Sequence, residues 1–158
     1  MPQSFMLGLY EVLERIFTPR PHILLETCSS GGNRFDLGML CYSPQIWSSD
    51  DTDPIERLSI QKGLSYFYPP CTMGAHVSQS PHQQTLRQTP LSTRFNVAAF
   101  GVLGYELDFG ELSPKEKKQV AAQIEWYKKY RPTLQYGDFF RVPTRRQGLV
   151  SWAAVAPD

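Results

Sequence analysis

The sequence predicts an α/β fold with parallel strands, and three observations carry that reading. Short apolar blocks of strand length recur four times along the chain, and each runs into a polar loop. Helix-start and helix-stop signals fall between those blocks rather than inside them. The last twenty residues change character and read as two further strands without a helix. Buried strand, loop and helix in alternation are what a parallel sheet needs, because its strands are joined by crossover helices.

Each element has its own signal. Phe5, Leu9, Val12, Leu13 and Ile16 recur at helical spacing, and Pro19 and Pro21 stop that helix. His22 to Glu26 reads as a first buried strand, followed by a polar, glycine-bearing turn from Thr27 to Asn33. Leu37 to Tyr42 is compact and apolar. Gln45-Ile46-Trp47 reads as a second strand, ending in Ser48-Ser49-Asp50-Asp51-Thr52-Asp53. A helix follows with Asp53 as N-cap, Pro54 at its first position and Glu56 at its third, from which a carboxylate can reach back to the cap. Ile55 and Leu58 begin its apolar face and Gly63 ends it. A third strand lies within Cys71 to Val77. The polar stretch Ser78 to Pro90 is long for a plain connection and reads as a functional loop. Leu91 to Phe100 is helical and Leu103 to Leu107 is a fourth strand. Ser113-Pro114-Lys115-Glu116 is a capping box opening a helix with Val120, Ile124, Tyr127, Arg131 and Leu134 on one face. Phe139 to Val142 and Leu149 to Val155 form a β tail separated by Pro143 to Gly148.

Four strand-loop-helix units make half of a barrel or a small doubly wound sheet. In either case the loops at the carboxyl ends of the strands carry chemistry. Those loops are Thr27–Arg34, Ser48–Asp53, Met73–Ser80 and Glu106–Gly110.

Composition bounds the function. The 158 residues make one ordinary domain and fall short of the roughly 250 of a complete (β/α)8 barrel. A net charge of +1 gives no pull toward nucleic acid or an anionic membrane. No run approaches the roughly 20 apolar residues of a membrane span. The first ten residues lack a basic segment followed by an apolar core, so the expectation is a cytoplasmic protein without a signal peptide. Cys28, Cys41 and Cys71 cannot all pair and lack Cys-x-x-Cys spacing, which argues against a disulfide scaffold or a zinc site. No metal or organic cofactor is expected.

Two constellations can carry chemistry. Cys28 is followed six residues later by Arg34 across a glycine-bearing loop, the spacing of a small cysteine phosphatase. In that reading Cys28 attacks as a thiolate and Arg34 clamps the phosphate. Against it, Phe35 stands where such enzymes carry Ser or Thr, and Asp36 would repel the anion. The plainer reading is a tight turn with a small buried cysteine. In the second constellation, Asp50, Asp51 and Asp53 crowd four positions beside Trp47. Mutual repulsion and desolvation raise a carboxyl pKa, which suits a glycosidase general acid. The plainer reading is an acidic helix start that complements the dipole.

Longer segments are more specific. Glu26 to Leu40, containing Cys28-Ser29-Ser30-Gly31-Gly32-Asn33-Arg34-Phe35-Asp36, resembles the Cys-Ser-x-Gly-Gly-x-Arg-Phe-Asp segment of bacterial α-galactosidases (melibiases) of glycoside hydrolase family 36. Tyr42 to Asp53, Glu56-Arg57-Leu58, Phe67 to Pro70, Met73 to Ser78, Gly104 to Asp108 and Tyr136 to Phe139 resemble the same family, in order and along nearly the whole chain. The resemblance implies the second half, about four βα units, of a (β/α)8 TIM barrel over residues 1–136. Residues 137–158 would be the first strands of a C-terminal β-sandwich domain.

The resemblance also implies retaining hydrolysis of terminal α-galactosyl units in oligosaccharides. Asp50 matches the general acid/base. Cys28 and Gly31 would line the galactose pocket, and Arg34 would bind sugar hydroxyls or orient a carboxylate. Trp47 would stand as a pocket wall or core residue. His76 would be either a ligand-side residue or a satisfied core histidine. The family's nucleophilic Asp sits upstream in a Lys-Trp-Asp-like segment, which no lysine here begins. The chain is therefore expected to be the acid/base half of an enzyme, from a truncated gene or an incomplete sequence, and inactive alone. The partners expected are an α-galactoside oligosaccharide, the missing N-terminal half and, as in the full-length family, further copies in a homo-oligomer. A non-catalytic sugar-binding piece remains the third reading. Asn33, His82-Gln83-Gln84 and Ala98 to Val102 depart from the family pattern and bear on pocket shape.

Overall fold

The computed structural model describes residues 3–28 and 35–156 of the chain. They divide after Asp50 into two compact units, each taken by itself below.

The first unit contains helix α1 (Gln3–Phe17), strand β1 (Glu26–Cys28), the short helix α2 (Leu37–Leu40) and strand β2 (Gln45–Trp47). β1 and β2 pair in parallel, with Glu26, Thr27 and Cys28 opposite Gln45, Ile46 and Trp47. Thr27 and Ile46 are buried on one face, so the alternation of a strand puts Cys28 and Trp47 together on the other. The Ser43 hydroxyl lies 2.9 Å from the Leu25 carbonyl and 2.8 Å from that of Gln45, tying the two strand entries together. Asp36 caps α2 by accepting the Met39 N–H, and Tyr10 of α1 donates its hydroxyl to the same carboxylate at 2.9 Å. A Cβ on Gly38 would stand 2.5 Å from that hydroxyl, so glycine is what lets α1 approach.

The first strand corrects the expectation of His22 to Glu26. Ile23 donates its N–H to Arg20 in a turn, and Leu24 is 84% exposed, so the ladder begins only at Glu26.

The second unit runs α3 (Pro54–Leu64), a single 3-10 turn (Pro70–Thr72), β3 (Met73–Ser78), α4 (Leu91–Ala98), β4 (Val102–Glu106), α5 (Pro114–Tyr136) and the strands β5 (Asp138–Val142) and β6 (Ser151–Val155). β3 and β4 are parallel, in register from Gly74 with Val102 to Ser78 with Glu106. β3 is buried at every position but His76, as a strand covered on both faces must be. Its Ala75 and Val77 form a core with Leu91, Phe95 and Ala98 of α4 and with Val120, Tyr127 and Leu134 of α5. Tyr127 adds a polar tie inside that core. Its hydroxyl donates to the Gly101 carbonyl at 2.7 Å and accepts from the Leu103 N–H and the Gln135 amide.

Several boundaries and faces differ from the sequence reading. Cys71 and Thr72 belong to the 3-10 turn, and β6 begins at Ser151 because Arg146 to Leu149 is a turn with Gly148 at φ +76°. α3 runs one residue past Gly63, and its buried face is Pro54, Arg57 and Gln61 rather than Ile55 and Leu58. Those polar heads are buried because carbonyls wait for them: Arg57 donates to Gly74 of β3 at 3.2 Å, and Gln61 to Val97 of α4 at 3.1 Å. On α5, Gln123 is buried and Arg131 exposed. The Ser113–Glu116 capping box is present as expected. β5 and β6 pair antiparallel and dock through Phe139 and Trp152 on Phe100, with Arg141 stacked 4.2 Å from the Tyr66 ring centre.

Removing the buried Tyr127 hydroxyl strands one carbonyl acceptor and two donors. Tyr127→Phe is expected to lower the unfolding free energy by about 1–3 kcal/mol, read from the urea midpoint at unchanged slope.

Candidate active site

In the first unit the site begins where β1 and β2 end. Cys28 and Trp47 are their last residues, in register and on the same face. The Trp47 indole Nε1–H donates to Asp50 Oδ1 at 2.9 Å. The structure thus brings three expected site residues into one chain of contact. Asp50 does not follow β2 directly. Ser48 and Ser49 intervene, Ser48 buried, and Asp50 itself is exposed. Gly31 and Arg34 lie outside the described residues, as does most of the glycine-bearing loop on which the phosphatase reading rests. Cys28 is exposed at the strand end, which corrects the expectation of a buried cysteine.

The three aspartates have separate employments. Asp50 holds the indole. Asp51 accepts the Asp53 backbone N–H at 3.0 Å. Asp53 is wholly buried and caps α3, accepting the N–H of Ile55 at 2.8 Å and of Glu56 at 3.4 Å. Its second oxygen takes the Thr85 hydroxyl, and the Arg87 guanidinium closes on the first. The expected reciprocal cap from Glu56 is absent, because Asp51 has taken the N–H and Glu56 pairs with Arg87 at 3.1 Å. Crowding was expected to raise carboxyl pKa values here. For Asp53 burial does push upward, but the hydrogen bonds from Thr85, Ile55, Arg87 and Glu56 outweigh it, and the pKa is held below its ordinary value of 3.8.

In the second unit a cavity of about 230 Å³ opens at the carboxyl ends of β3 and β4, lined by Thr52, Ser78, His82, Gln83, Glu106 and Asp108 among others. Ser78 is the last residue of β3 and donates its hydroxyl to the Thr52 carbonyl at 3.0 Å. His82 is buried. Its Nδ1 accepts the N–H groups of Gln84 and Thr85 at 3.4 and 3.3 Å. Nδ1 therefore carries no proton, and Nε2–H donates to the Thr52 hydroxyl at 3.0 Å. His76 is half-buried on β3, its Nδ1 3.5 Å from the Glu106 carboxylate. Its ring occupies the space a side chain on Gly104 would need. Among the described residues no group of three or more His, Cys, Asp or Glu side chains is placed to hold a metal ion.

Sequence reasoning marked the loops Ser78–Pro90 and Glu106–Gly110 but singled out none of their residues as site residues. His82, Thr85 and Arg87 were missed because their partners, Thr52 and Asp53, stand some thirty positions away. The only signal was a run of polar residues too long for a plain connection.

Comparison with known proteins gives the family of the chain. A family model described as Melibiase matches residues 1–137. Alpha-galactosidase 1 of Pediococcus pentosaceus is 53% identical over 154 residues, which are 97% of this chain and 21% of that protein. Alpha-galactosidase AgaA of Geobacillus stearothermophilus is 47% identical over 155 residues, 98% of this chain and 21% of that one. Among solved structures, the α-galactosidase of Lactobacillus brevis superposes with a TM-score of 0.92 at 49% identity, over 98% of this chain and 21% of its own. A structure of an AgaA variant in complex with raffinose gives 0.90 at 46% identity, over 96% and 21%. The chain thus spans about a fifth of the length of the curated relatives it matches.

The Asp53 contacts carry a pH signature. A carboxylate whose folded pKa is depressed lends stability above its unfolded pKa, and that stability is lost as pH falls through the folded value. Asp53→Asn is expected to cost on the order of 3 kcal/mol at neutral pH. The gap to the parent chain should narrow below about pH 4, as followed by thermal melts across pH.

Proposed function

Because the chain belongs to the melibiase family, we propose that it is the part of a retaining α-galactosidase that carries the general acid/base, Asp50. The observation that carries the proposal is the Trp47 indole bonded to Asp50 beyond the carboxyl end of a parallel strand, where α/β enzymes place their chemistry. In this reading residues 1–136 are the second half of a (β/α)8 barrel, about four βα units, and 137–158 open a C-terminal β-sandwich domain.

Asp50 protonates the glycosidic oxygen as it leaves and then takes a proton from the attacking water. Cys28 and Gly31 line the galactose pocket with Trp47 at its wall, and Arg34 binds hydroxyls or orients a carboxylate. The substrate class is an oligosaccharide ending in α-galactose, in keeping with the raffinose bound to the AgaA relative. Family membership displaces the cysteine-phosphatase alternative. Cys28, Cys41 and Cys71 are not joined in disulfides, in keeping with the proposed cytoplasmic location, and no described helix is long and apolar enough to cross a membrane.

Retention needs two carboxyl groups about 5–5.5 Å apart. No Lys-Trp-Asp-like segment occurs in this sequence, so the nucleophile belongs to the part of the family's length that the chain does not span. A half barrel leaves sheet edges unpaired, which favours association with the missing half or with further copies.

The test is hydrolysis of raffinose and of a chromogenic α-galactoside by the chain alone and mixed with the remaining part of a related α-galactosidase. The chain alone should be silent and the mixture active. Asp50→Ala should lower raffinose turnover of the mixture by about 10²–10⁴-fold. Turnover by the chain alone, or a mixture indifferent to Asp50→Ala, contradicts the proposal.

A further inference from the structure

We infer that Trp47 is a positioning residue for proton transfer: it holds Oδ1 of Asp50, so that Oδ2 is the oxygen that passes the proton to and from the substrate. The inference rests on the reading of Asp50 as acid/base. An indole N–H is a donor and never an acceptor. The oxygen it faces, Oδ1 at 2.9 Å, must therefore be an acceptor whether the carboxyl group is charged or neutral. When Asp50 is neutral, its proton sits on Oδ2.

The indole is well placed to enforce this. Trp47 is half-buried at the end of β2, beside the fully buried Ile46 and in ladder register with Cys28. Its side chain has only two rotatable bonds, so little freedom is lost in holding the contact. The intervening Ser48 is buried, which fixes the turn between donor and acceptor. With its N–H committed to Asp50, Trp47 lends the pocket wall an aromatic face and keeps no donor for a sugar hydroxyl.

Two proton movements follow. In the first, the Oδ2–H bond breaks and the proton joins the glycosidic oxygen. That oxygen leaves with the electron pair of its bond to the anomeric carbon, which the nucleophilic carboxylate of the complete barrel takes up. In the second, water gives one proton to Oδ2. The water oxygen bonds the anomeric carbon as the carboxylate departs with its pair. The indole keeps its proton throughout.

The experiment uses the mixed, complete barrel with Trp47→Phe and with Trp47 replaced by 3-benzothienylalanine, which keeps the ring shape and substitutes sulfur for the N–H. Two substrates are compared: raffinose, whose leaving group needs a proton, and 2,4-dinitrophenyl α-galactoside, whose leaving group does not. Both variants should lose about 10–100-fold in kcat/KM on raffinose, mostly in kcat. The loss on the dinitrophenyl substrate should be at least about tenfold smaller. Equal losses on the two substrates would make Trp47 a plain wall of the galactose pocket and overturn the inference. Full raffinose activity in the benzothienyl variant would overturn it too. A silent parent mixture would instead overturn the function itself, and the inference with it.

Discussion

A carboxylate out of reach of water must be given donors or take up a proton. Asp53 is given donors from three places: the first turn of α3, Thr85 and Arg87. This one buried charge fixes where α3 begins. It anchors the loop between β3 and α4 at two points, and between Thr52 and Thr85 it leaves His82 a single arrangement of its ring proton. Glu56 shares Arg87 and adds a second carboxylate to the same cation. The guanidinium is accordingly held charged, its pKa pushed up by Asp53 first and Glu56 second.

The same constraint sorts three neighbouring acids into different roles. Asp53 is spent on structure, and Asp51 is spent on the Asp53 backbone. Asp50 is the one left exposed, with one oxygen held by an indole and the other available. Under the proposed function, this division leaves Asp50, rather than Asp51 or Asp53, for the acid/base role.

What the sequence made legible was local. The Ser113–Glu116 capping box, the Asp53 cap, β2 at Gln45 to Trp47 and the docking helix α5 all follow from signals within a few residues. What it hid was decided at a distance. Glu56 did not close its capping box because Arg87, 31 positions on, captures it. Arg57 and Gln61 turned inward because Gly74 and Val97 present carbonyls that no helical periodicity announces. β1 started late because a turn at Arg20 to Ile23 consumed backbone that the apolar run had offered to a strand. At the site, the pairing of Cys28 with Trp47 needed strand register, and the indole bond to Asp50 needed the shape of the turn at Ser48 and Ser49.

The central claim is that Asp50 is the acid/base rather than the nucleophile of a retaining enzyme. Azide rescue of Asp50→Ala in the completed barrel tests it most directly, with 2,4-dinitrophenyl α-galactoside as substrate. If Asp50 is the acid/base, the covalent galactosyl intermediate still forms, and azide attacks it without needing a base. The product is then α-galactosyl azide, with configuration retained. Formation of β-galactosyl azide would mean that Asp50 is the nucleophile, and its assignment as acid/base would be wrong.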